Sequence, residues 1–91
     1  MGLIKEEYKD TTTGLTLKPA YAKIVRLYIE EENKAKAYFG ISETRDLIET
    51  HGPINEIMFE CEIDKKTDNV YTEIYSKAKE DIFAEWKDNI I

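Results

Sequence analysis

Residues 54–64 read Ile-Asn-Glu-Ile-Met-Phe-Glu-Cys-Glu-Ile-Asp, and their two parities differ in chemistry. Ile57, Phe59, Cys61 and Ile63 fall on one; Glu56, Met58, Glu60 and Glu62 fall on the other. A period of two predicts a strand with one face buried and one wet. Upstream, residues 34–42 repeat the pattern with Ala35, Ala37, Phe39 and Ile41 against Lys36, Tyr38 and Gly40. Residues 20–29 form a further strand, but both of its parities are largely apolar, which predicts cover on both faces for part of its length. The polar run Glu30-Glu31-Glu32-Asn33-Lys34 is a hairpin turn, with Asn33 suited to a positive φ.

Downstream the period changes. Tyr71, Ile74, Tyr75, Ala78, Ile82 and Trp86 recur at helical spacing, after Asp68 or Asn69 as N-cap. Between the second and third strands, residues 43–52 read as a loop containing one helical turn capped by Ser42 and ended by Gly52-Pro53. The fold class is therefore α+β: a three- or four-stranded antiparallel meander with one C-terminal helix packed on one face. Residues 1–13 read as a polar N-terminal arm anchored by Leu3, Ile4 and Tyr8, and residues 14–91 as a single domain. Residues 88–91 are expected to fray. The core should contain Ile24, Ala37, Phe39, Ile41, Ile57, Phe59, Cys61, Ile63, Ile74, Ala78, Ile82 and Trp86.

Net charge is −6, but residues 1–42 hold seven bases and six acids while residues 43–91 hold six bases and thirteen acids. No basic stripe exists for counterion-release binding, so nucleic acid is not an expected partner. No apolar run approaches the ~20 residues that cross a bilayer, and the first residues lack a signal peptide's apolar core, so no membrane role is expected. A lone cysteine gives no internal disulfide framework and fits a reducing compartment, so the cytoplasm is the expected location.

Candidate chemistry is sparse. Cys61 lies mid-strand on the apolar parity, where a core role is expected; a reactive thiolate wants positive charge and partial exposure. His51 is the single histidine, beside Gly52-Pro53, and lacks companions for a metal site. Glu56, Glu60, Glu62 and Asp64 lack the glycine-turn spacing of a calcium loop and read as a solvated face partly neutralised by Lys23, Lys34 or Lys36 across the sheet. No glycine-rich phosphate loop or nucleophile elbow is present. No catalysis, cofactor or metal is expected.

A second apolar stripe on the first long strand, Tyr21, Val25, Leu27 and Ile29, is the candidate interaction surface. It could be covered by Tyr8, Leu15 and Leu17 of the same chain, or by another subunit. Tyrosine is a common interface anchor. A protein partner or self-association, as a homo-oligomer, is the expected mode of action. The acidic balance of residues 43–91 leaves an alternative, a small inhibitor or regulator that occupies a basic site on a partner.

Gly14-Leu15-Thr16-Leu17 followed by Ala20-Tyr21-Ala22-Lys23-Ile24 resembles the opening of a family of small bacteriophage and prophage proteins. The likeness continues through residues 38–45 with Ser42-Glu43-Thr44-Arg45, through Gly52-Pro53-Ile54, and through Val70-Tyr71-Thr72-Glu73-Ile74-Tyr75. Trp86-Lys87-Asp88-Asn89 stands where the family has small residues. The resemblance implies a tail or assembly component encoded among virion structural genes, located in the virion if phage-derived, with no catalytic residues to carry over.

Overall fold

A computed structural model describes residues 2–11, 13–30, 33–63 and 69–89. The architecture is α+β, with a five-stranded sheet, a two-stranded ribbon and two helices. The elements are β1 (Gly2–Lys5), β2 (Tyr8–Lys9), β3 (Thr16–Leu17), β4 (Ala20–Glu30), β5 (Lys34–Ser42), α1 (Arg45–His51), β6 (Asn55–Glu62), α2 (Val70–Lys79) and β7 (Lys87–Asn89). The large sheet runs β6-β5-β4-β1-β7, and each neighbouring pair is antiparallel.

The meander expected from the alternating stretches is its β4-β5-β6 half. Lys34 pairs with Glu30 and Asn33 takes φ 67°, as the hairpin turn requires. Residues 2–5, placed by sequence in a polar arm, instead supply a strand beside β4, because Leu3 opposite Ala22 is fully buried there. Lys87, Asp88 and Asn89 pair with β1, so the stretch expected to fray adds the edge strand β7; residues 90–91 lie outside the described residues.

On the inner face, register lines up Ala22, Ile41 and Asn55, then Ile24, Phe39 and Ile57, then Leu27, Ala37 and Phe59. Ala22, Ala37 and Ala78 are fully buried, and Phe39 fills the centre. Phe39 meets Phe59, Tyr75 and Phe83 at ring separations of 6.5, 5.4 and 4.8 Å. Fully burying such a side chain is worth ~1.5–3 kcal/mol.

The last helix begins as expected, with Asn69 Oδ1 accepting the Thr72 N–H at 3.1 Å. It ends earlier than the apolar stripe suggests, at Lys79. The Phe83 N–H then donates to the Ala78 carbonyl at 2.8 Å, a tight turn that drives Phe83 into the core and leaves Ile82 41% exposed. Ile82 is thus a correction to the expected core. Ile57 and Cys61 are partly buried and pack against it, and Trp86 is buried as expected. Trp86 packs on Phe83 and on Tyr8, joining the β2–β3 ribbon to this end of the core.

That ribbon turns through Asp10, which is 1% exposed. Its carboxyl group accepts the Thr13 N–H at 3.0 Å and the Asn55 amide at 2.9 Å, so a buried polar side chain organises the turn and ties it to β6.

Candidate functional site

The outer face is built by the other parity. From the hairpin inward, its rows across β4, β5 and β6 are Glu30-Lys34-Glu62, Tyr28-Lys36-Glu60, Arg26-Tyr38-Met58 and Lys23-Gly40-Glu56. One irregularity sets these rows. Val25 is an extra residue between Ile24, opposite Phe39, and Arg26, opposite Tyr38. Such a bulge lets two consecutive side chains lie on the same face and reverses the parity beyond it. Even-numbered residues face the core up to Ile24, and odd-numbered residues do so from Leu27 onward. This explains why both parities of the strand are apolar without a second layer over its whole length.

The bulge also divides the expected interaction stripe. Tyr21 is buried on the outer face, its ring packed on Gly2, where an added Cβ would collide with the ring and its hydroxyl. That hydroxyl has no hydrogen-bond partner among the described residues, and burial raises its pKa. Val25 sits half-buried at the bulge against Gly40 and Pro53; a Cβ on Gly40 would lie 2.8 Å from Val25 Cγ1 and 2.9 Å from Pro53 Cβ. Leu27 faces inward and packs on the core, and Ile29, on the same side opposite Ala35, is 54% exposed. The four residues do not share one surface.

Half of the outer face is covered by α1. This seven-residue helix replaces the single helical turn expected, and its cap is Thr44, whose hydroxyl accepts the Leu47 N–H at 3.2 Å. Ser42 is instead buried at the end of β5. Gly52 ends the helix with φ 83°. Ile48 is buried beneath α1, and Glu49 bonds both Lys23 and Arg45 at 3.2 Å, which holds its carboxyl below the usual range. Beside α1 an open groove of about 500 Å³ is floored by Ile4 and Tyr21 and rimmed by Glu43, Arg45 and Asp46.

The other half is uncovered. Tyr28 is 52% and Met58 46% exposed, and Tyr38 between them is half-buried. Tyr28 meets Tyr38 edge-on at 5.9 Å, and the Arg26 guanidinium lies 4.8 Å from the Tyr38 ring centre. Arg26 also pairs with Glu56 and Lys36 with Glu30, and in both bases the carboxylate bond is the main cause of a raised pKa. Tyr, Met and Arg are the residue types enriched at protein interfaces. Sequence reasoning passed over this cluster, although Tyr38 and Met58 each stand out as apolar positions on a polar parity.

The other candidates stand apart from it. Cys61 is partly buried on the inner side, where burial pushes its thiol up, away from thiolate reactivity. His51 is exposed at the end of α1, its Nδ1 2.8 Å from Thr50 Oγ1. Among the described residues no three His, Cys, Asp or Glu side chains converge as metal ligands, and no helix is long and apolar enough to cross a membrane. Asp64 lies outside the described residues. Protein-family models, curated proteins and solved structures were each compared with the chain, and none matches it.

Proposed function

We propose that this chain is a non-enzymatic structural or protein-interaction protein that docks through the uncovered half of the outer sheet face. The observation carrying this reading is the exposure of Tyr28 and Met58 on either side of a half-buried Tyr38, beside Arg26, on three paired strands. A sheet face holds such anchors rigidly, so little side-chain entropy is lost on docking. The proposal includes the assembly setting that the resemblance to phage proteins implies, in which subunit contacts are the working principle. The acidic-inhibitor alternative draws on the acidic balance of residues 43–91, of which Glu56, Glu60 and Glu62 share one strand and one face. Those acids stand across from Lys34 and Lys36 or pair with Arg26, so this face is locally balanced and suits docking better than capture of a basic site.

Hydroxyl-radical footprinting tests the reading. Met58 and Tyr38 should be oxidised several-fold less in a concentrated native extract than in the dilute isolated chain. Tyr71, 50% exposed on α2, serves as the internal reference. Equal oxidation of the cluster in both settings would reject the docking face.

A further inference from the structure

The uncovered face has a charge order that matches itself. Read from the hairpin inward, β5 presents Lys34, Lys36 and Tyr38, while β6 presents Glu62, Glu60 and Met58 in the same three rows. Two identical faces can be brought together by a two-fold axis parallel to the strands, lying midway between β5 and β6. That operation lays β5 of each copy over β6 of the other without changing rows. Lys34 then meets Glu62 of the second copy, Lys36 meets Glu60, and Tyr38 meets Met58, each contact occurring twice. A contact related by a two-fold must be self-complementary in this way. Sheets pack face to face with strands aligned within about 30°, which this axis satisfies.

We propose that the occupant of the outer face is a second copy of this chain, in a face-to-face dimer with β5 over β6. The inference rests on the docking face proposed above and supplies a partner for its β5–β6 part; Tyr28 and Arg26, on β4, flank the contact. The banding is local to this face: within the three rows Lys34 and Lys36 balance Glu60 and Glu62, while the whole chain carries −6. Two copies would repel elsewhere on their surfaces, so the lysine column directs them to this face. The intrachain Lys36–Glu30 pair, at 3.0 Å on an exposed surface, is cheap to rearrange. Toward Gly40 the neighbouring α1 closes the face, which confines the contact to these rows. Six positions per copy fall well short of the ~800 Å² per partner of a standard interface, so the dimer is a transient one.

The test is sedimentation of the purified full chain from about 10 µM to about 1 mM at low salt, where charge pairs are least screened. Wild type should shift from monomer to dimer. Lys36→Glu and Glu60→Lys should each weaken the dimer ~10-fold or more, because each sets like charges opposite one another twice. Mixed in equal amounts, the two variants should associate with near wild-type strength, since opposite charges then face each other at both contacts between positions 36 and 60. This rescue crosses between molecules and cannot arise from repair of either fold. Met58→Lys, at an exposed site where misfolding is not expected, should also abolish the dimer; circular dichroism checks that each variant is folded. A wild type monomeric throughout, a dimer indifferent to Met58→Lys, or a mixture no stronger than its components would each overturn the proposal. A monomer whose Met58 is still shielded in extract removes the second copy and leaves the docking face standing. A monomer without such shielding removes both.

Discussion

On β5, Phe39 and Tyr38 are adjacent in sequence and lie on opposite sides of one sheet. Phe39 is fully buried and touches rings from β6, α2 and the turn after α2. Tyr38 meets Arg26 and Tyr28 on a face that α1 covers only toward the Gly40 end. The inner face is closed by α2 and the turn after it, whereas the outer face is finished by one short helix. Stability is concentrated on the first side, and the proposed docking residues lie on the second.

Truncation at the two positions gives the sharpest contrast. Phe39→Ala should cost about 3–5 kcal/mol, since it removes a buried aromatic and leaves a cavity. That is a large part of the ~5–15 kcal/mol that holds a small domain together. Tyr38→Ala should cost under about 1 kcal/mol. Urea denaturation of both variants checks this; comparable losses would mean that the outer cluster is a second core.

Deleting a residue probes why the faces are arranged as they are. Removing Val25 takes out the bulge while leaving Ile24 and Leu27 on the inner side and Arg26 and Tyr28 on the outer. The variant should fold, losing about 1–2 kcal/mol with the side chain that packs on Gly40 and Pro53. Removing Ala37 from β5, which has no such irregularity, would transfer every residue on one side of the gap to the wrong face and should prevent folding. Near-equal stability of the two deletions, read by circular dichroism and thermal melts, would sink the parity account.

The smallest effect lies at the edge of the inner face. β1 pairs with β4 as far as Ala22, and just beyond it the Ile24 N–H donates to the Tyr75 hydroxyl at 2.8 Å. Burial pushes the Tyr75 pKa up to about 12, partly offset by that N–H. An unfolded tyrosine ionises near 10. Between those values the unfolded chain gives up the proton first, so this contribution to stability is complete below pH 10 and is lost as pH rises toward 12. Thermal melts of wild type should therefore fall more steeply over that window than melts of Tyr75→Phe. Parallel slopes would show that this hydroxyl is not sealed by the inner layer.

The α+β class, the β4–β5 hairpin at Asn33, the inward parities of β5 and β6 and the start of α2 at Asn69 are all legible in the residues themselves. Each depends on alternation or capping within a few positions, and local patterns of that kind are written by side-chain identity alone. The rest depends on partners distant in sequence. Leu3 becomes a strand residue because Ala22 lies beside it, Phe83 displaces Ile82 because Phe39 offers it a ring to pack on, and the bulge at Val25 separates Leu27 and Ile29 from Tyr21. The candidate site belongs to this second group. Tyr28, Tyr38 and Met58 come from three strands, and only the pairing of those strands, with α1 stopping short of them, leaves the three side chains together on an uncovered face.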